Sequence, residues 1–225
     1  MFRRCVMALG VVSLLVLVTA GQANAAVVVT FYNDQASFMA AISPQAALNF
    51  EGITTDTGNY DFGTSYHTGS VTFTAGKYNH MLVVGKNSQT LGKPFDSALL
   101  TPWSEPSSIL ATFDASSNVT AVGGYFESLI ASSLGTFSLT GATGLLDQRG
   151  ATLGWARQGQ PKKFYGYTVA GDTILSLSVG TGVDAPAFDN FTYGYSVPEP
   201  SSLILLGIAA ASLSAYAWRR RRQAA

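Results

Sequence analysis

The chain has 225 residues and is 47% hydrophobic but only 12% charged, with thirteen Lys/Arg against thirteen Asp/Glu. That balance conceals an acidic interior: between Ala26 and Val197 there are seven Lys/Arg against twelve Asp/Glu, a net charge of −5. A domain of that sign argues against nucleic acid as a partner, which calls for a basic face, and the lone Cys5 excludes an internal disulfide.

The first segment is a sorting element. Arg3 and Arg4 form a positive n-region, residues 6–18 an apolar stretch, and Ala23-Asn24-Ala25 an Ala-x-Ala site. This pattern predicts a secretory signal peptide over residues 1–25, removed by signal peptidase after Ala25. The Arg3-Arg4 pair lacks the polar residues and phenylalanine typical around a twin-arginine signal, so general secretion is favoured. Cys5 precedes the apolar stretch, which argues against a lipoprotein, and leaves with the signal.

Residues 26–196, about 170 in all, suffice for one domain with a sizeable core. Short runs rich in Val, Thr, Phe, Tyr and Leu alternate with Gly, Asn, Asp, Ser and Pro, which predicts strands. They fall over 26–32, 47–51, 70–75, 81–84, 108–114, 119–126, 134–140, 152–156, 162–169, 173–179 and 188–195. Alternation such as Ile174-Leu175-Ser176-Leu177-Ser178-Val179 marks antiparallel sheets with one face buried. The spacing predicts a mainly β fold, an antiparallel β-sandwich of jelly-roll type.

One short helix is expected near the N-terminus, over 33–42. Asn33 or Asp34 caps it, Phe38, Ala41 and Ile42 share a face, and Ser43-Pro44 ends it.

Trp103 lies in the proline-bounded segment Thr101-Pro102-Trp103-Ser104-Glu105-Pro106 and is the best single candidate for an exposed sugar-binding ring. Trp155 lies near Arg157. Tyr165 with Tyr167, and Tyr193 with Tyr195, share strand faces; they form either ligand patches or core packing, and core packing is favoured. Asp147-Gln148-Arg149-Gly150 has the composition of a hairpin tip. No catalytic residue is assigned. His67 and His80, the only histidines, lie in no His-Glu-x-x-His motif, and no Gly-x-Ser-x-Gly elbow occurs. Paired carboxylates for glycan hydrolysis are a matter of three-dimensional separation and stay open at this stage.

The last segment, residues 197–225, has three parts in order. Val197-Pro198-Glu199-Pro200-Ser201-Ser202 leads into an apolar run over 203–218, followed by Arg219, Arg220, Arg221 and Arg222. From Ser201 to Trp218 the run predicts a transmembrane helix just long enough for a bilayer, with the arginines held in the cytoplasm. The inner membrane is then a transient station, with Pro198-Glu199-Pro200 at its outer face.

This tail resembles the PEP-CTERM sorting signal of Gram-negative bacteria, with Val197, Pro198, Glu199 and Pro200 as the motif. The resemblance implies recognition and cleavage by an exosortase, then association with the cell surface, the extracellular matrix or exopolysaccharide. Residues 31–38, 49–52, 122–126 and 188–194 resemble, more loosely, the globular part of many such proteins, which implies a concanavalin-like or carbohydrate-module-like sandwich. In carbohydrate-binding jelly rolls a Phe-Glu on an early strand and an Asp on the last strand often meet around structural calcium. The corresponding residues are Glu51 and Asp189, with Asn190 as a possible further oxygen donor; the other reading is that they bond nearby backbone donors. The expectation is therefore a non-catalytic, exopolysaccharide-associated surface protein. The alternatives are a carbohydrate-binding module and, less favoured, a glycan hydrolase.

Overall fold

The structure, a computed structural model, describes residues 26–76, 80–88, 97–102, 108–128, 134–154, 156–157, 162–181, 185–197 and 200–223. Two sheets face each other. The first orders β1 (Val28–Tyr32), β13 (Lys163–Ala170), β9 (Ala121–Ser128), β15 (Pro186–Ser196), β7 (Leu99–Pro102), β6 (Met81–Val84) and β3 (Asn59–Asp61). Beside this path β2 (Ile42–Leu48) pairs with β15, and the short β12 (Ala156–Arg157) pairs with β9. The second sheet orders β11 (Gly144–Gly154), β10 (Leu134–Gly141), β14 (Ile174–Thr181), β8 (Ser108–Phe113), β5 (Val71–Ala75) and β4 (Ser65–Thr68). Apart from the parallel β12–β9 contact, the described ladders are antiparallel, so the fold is the expected mainly antiparallel β-sandwich.

Period-two patterning builds the interior. In β5, Val71, Phe73 and Ala75 are buried while Thr72 and Thr74 are half-buried. From the other sheet come Val122, Phe126, Tyr165, Tyr167, Phe188 and Phe191, which join them in one core. Aromatic rings dominate it: Phe126 meets Phe137 across the sheets at 4.9 Å and 88°, an edge-to-face geometry favoured by the ring quadrupoles. Tyr165, Tyr167 and Tyr193 are buried in this core, whereas Tyr195 is exposed. The tyrosine pairs are thus mainly interior packing, and burial pushes the Tyr165 and Tyr167 hydroxyls up from their ordinary acidity.

The early helix, α1 (Gln35–Ala40), is shorter than expected. Asp34 caps it by accepting from the Ser37 amide at 2.7 Å, and the chain re-enters a strand at Ile42. Phe38 anchors it to the outer face of the first sheet, among Ile42, Ala121 and Phe164. Gly166 makes that approach possible: a Cβ there would lie 2.6 Å from the Phe38 ring.

Other expectations shift. Residues 147–150 are not a hairpin tip; they lie inside β11, and the tip is Ala142-Thr143, between Gly141 and Gly144. The reason is local: Gly144 takes φ +122°, and Asp172 accepts from both the amide and the hydroxyl of Thr143. Strands β3, β4 and β7 were not foreseen.

The C-terminal helix α2 (Pro200–Gln223) forms, but the expected membrane span is corrected: among the described residues no helix is long and apolar enough to cross a membrane. The eighteen residues from Ser201 to Trp218 rise only ~27 Å, and the apolar part begins at Leu203, leaving it short of a ~30 Å hydrocarbon core. Gly207, Ser212, Ser214 and Tyr216 dilute the segment further.

Candidate functional site

A β-bulge shapes the site. On β15 the register with β9 shifts between Asp189 and Thr192, and Asn190 adopts left-handed φ 47°, a conformation asparagine tolerates better than most residues. The bulge puts Phe188 and Phe191, three residues apart, on the same core face, where their rings stack at 5.6 Å and 12°. Asp189, next to Phe188 and in alternation with Ala185 and Ala187, faces the other way. Asp189 Oδ2 accepts from Lys162 Nζ at 2.6 Å and from Ser97 Oγ at 2.7 Å, and Lys162 also donates to Ser97. The ion pair is largely buried, with side-chain exposures of 12% and 5%.

The structure brings the predicted cation ligands to one segment. Glu51 Oε1 accepts from the amide of Ala98 at 3.0 Å, while Asp189 holds the adjacent Ser97. The positive charge at Asp189 is an ammonium, and a calcium ion there would have to displace Lys162. Among the described residues no group of three or more His, Cys, Asp or Glu could hold a metal. Asn190 is exposed, and its visible role is through its backbone.

Beside this pair lies a cleft of about 680 Å³ at the start of β13. It takes residues from both faces of that strand: Phe164 from the face under α1 and Tyr165 from the core face. Phe31 stacks near Tyr165 at 5.8 Å and 22°, and Tyr125 meets Phe164 edge-on at 5.5 Å. Polar groups converge on the same space. Tyr125 donates to Gln35 Oε1 at 2.8 Å, Asn33 and Asp34 line the wall before α1, and Lys162 and Lys163 stand at the lip. Asp34, held by the Ser37 side chain and amide, has its carboxyl below the ordinary carboxylate range. Concavity, aromatic walls and a few convergent polar groups are the usual features of a ligand site.

Sequence reading did not single out this cleft, although the Lys162-Lys163 doublet in an acidic domain was a visible signal. Trp103 and Trp155, and the signal-peptide residues Ala23 and Ala25, lie outside the described residues, as do Pro198 and Glu199.

The domain ends beside α1, where the Val197 amide donates to Ala41 O at 2.9 Å. Beyond it α2 shows exposed Leu206, Ile208, Leu213 and Trp218. Residues 196–222 match the PEP-CTERM protein-sorting motif. The chain carries a PEP-CTERM sorting motif. The motif marks it as an exported protein sorted by an exosortase, with the cell surface of a Gram-negative bacterium as destination. No curated protein matches the chain.

Among solved structures, the PEP-CTERM-bearing chain is similar to a family 29 carbohydrate-binding module from Piromyces equi, at 9% identity and TM-score 0.31, over 75% of this chain and 91% of that one. It is also similar to a tandem of family 22 carbohydrate-binding modules from Paenibacillus barcinonensis, at 14% identity and TM-score 0.34, over 71% and 47%. A third is a family 11 carbohydrate-binding module from Clostridium thermocellum, at 9% identity and TM-score 0.27, over 71% and 99%.

Proposed function

We propose that this PEP-CTERM-bearing chain is a non-catalytic glycan-binding protein of the cell surface or extracellular matrix, engaging the exopolysaccharide of its own cell. Signal peptidase cuts after Ala25, an exosortase cuts near Pro198-Glu199-Pro200, and the sandwich of residues 26–196 is the working part. The observation that carries the reading is the cleft at the start of β13, where Phe31 and Tyr125 adjoin amide, hydroxyl and ammonium groups. Rings offer flat apolar faces to sugar rings, and the polar groups suit sugar hydroxyls. Trp103, in its proline-bounded segment, is a second expected ring contact.

The test is retention of the purified protein on the producer's exopolysaccharide, with reducing ends assayed in parallel. Retention without new reducing ends is expected. Gln35→Ala and Trp103→Ala should each weaken retention severalfold with an unchanged melting temperature. Absence of retention would overturn the reading, and release of oligosaccharide would make the protein a hydrolase.

A further inference from the structure

The domain carries a net charge of −5, yet four of its seven cationic residues, Arg149, Arg157, Lys162 and Lys163, fall within fifteen consecutive positions. Strand register places Lys163 and Arg157 at one end of the first sheet, Lys162 immediately precedes Lys163, and Arg149 reaches the same region from β11 of the second sheet. Lys163 lies opposite Phe126 on β9, and Arg157 lies opposite Ser128, two positions further along the same strand. Arg149 stands over the Phe31 ring at 4.3 Å, and Phe31 lines the cleft.

Their charges are not equally engaged. Arg149 is held by Asp147 at 2.7 Å and Lys162 by Asp189 at 2.6 Å. Lys163 is exposed and makes no ion pair among the described residues. Asp34, the carboxylate on the wall, is occupied in capping α1. The cleft therefore presents an ammonium with no ion pair among the described residues, beside aromatic and amide groups, on a domain whose net charge repels anions elsewhere. An ammonium on a flexible stem is a strongly hydrated point charge suited to a single carboxylate. Repulsion over the remainder of the surface would confine an anionic polymer to this spot.

We infer that the cleft selects an acidic polysaccharide, with the Lys163 ammonium facing a sugar carboxylate and Phe31 and Tyr125 flanking the sugar ring. This rests on the glycan-binding reading above and adds the class of glycan.

The experiment uses the purified full chain and two acidic polymers, polygalacturonate and alginate, each beside its carboxyl-reduced neutral counterpart. The acidic forms should bind at least tenfold more tightly than the reduced forms. Lys163→Gln should remove most of that difference while leaving the melting temperature unchanged. Lys163→Arg, which keeps the charge, should retain at least half of the preference. Equal binding of acidic and neutral forms, or an acidic preference untouched by Lys163→Gln, would overturn the inference and leave glycan binding standing. Failure of every polymer, together with failure on the producer's own exopolysaccharide, would overturn both.

Discussion

Phe38→Ala tests how α1 is held and, through it, how the cleft is walled. Phe38 is fully buried and is the buried residue of a six-residue helix. Its ring meets Tyr32 at 5.7 Å and Phe164 at 5.3 Å. A helix this short has no independent stability, because nucleation costs more than one turn of hydrogen bonds returns. Truncating a buried phenylalanine costs about 3–5 kcal/mol when the surroundings stay in place. Here they need not: the cluster around Phe38 is small and separate from the main inter-sheet core, so α1 can detach while the two sheets stay paired. Detachment caps the loss near the lower end, about 3 kcal/mol, which for a domain of this size is roughly 6–12 °C in Tm. The assay is thermal unfolding combined with amide exchange. Residues 35–40 should exchange rapidly, the amides of β9 and β13 should stay protected, and glycan retention should fall because the wall at Asn33, Asp34 and Gln35 is lost. A Tm within 2 °C of wild type, with α1 still protected, would refute the argument that Phe38 anchors it.

Lys162→Met strands the buried Asp189 and should cost about 3–5 kcal/mol in denaturant unfolding, with most recovered in the Lys162→Met/Asp189→Leu double variant; a neutral single variant would contradict the burial of the pair. EDTA is expected to leave Tm unchanged, because an ammonium already neutralises Asp189; a fall in Tm that Glu51→Gln abolishes would establish calcium there instead. Asp172 is held below its ordinary 3.8 chiefly by the Thr143 hydroxyl, so its contribution is present above about pH 4 and lost as pH falls through the lower folded value. Asp172→Asn should therefore flatten the acid limb of a stability–pH curve, and an unaltered limb would count against the turn contact. Intact mass of the exported protein should correspond to a chain starting at Ala26 and ending near Pro198-Glu199-Pro200, and retention of Arg219–Arg222 would sink the proposed processing.

The strands with plain alternation were legible because burial on one face writes itself into every second residue. β5, with Val71, Phe73 and Ala75 inward, and β8, with Ile109, Ala111 and Phe113 inward, are of this kind. β13 was legible for another reason: α1 covers its second face, so Phe164 to Val169 read as a continuous apolar run. The strands missed had neither signal. Asn59–Asp61 is three exposed residues held as a strand by pairing with β6. In Ser65–Thr68 no residue is fully buried. The helix boundary failed at Ala41 and Ile42, where apolar spacing suits both a helix face and the start of β2. Pairing of Ile42 with Ser196 settles it as strand.

The site was harder to read than the fold because it is built from register rather than from local sequence. Glu51 and Asp189 are 138 positions apart, and their placement on neighbouring residues Ser97 and Ala98 follows from how the sheet is assembled. The partner that most changes their meaning, Lys162, was visible only as half of a basic doublet. Had β15 run without its bulge, strict alternation would have put Phe188 and Phe191 on opposite faces. Asp189 points away from the core by ordinary alternation with Ala185 and Ala187, toward the start of β13. There its carboxylate pairs with Lys162, and the next residue, Lys163, lines the cleft with no ion pair among the described residues. Substituting Asn190 by a β-branched residue, which resists φ > 0, should disturb the stacking of Phe188 on Phe191.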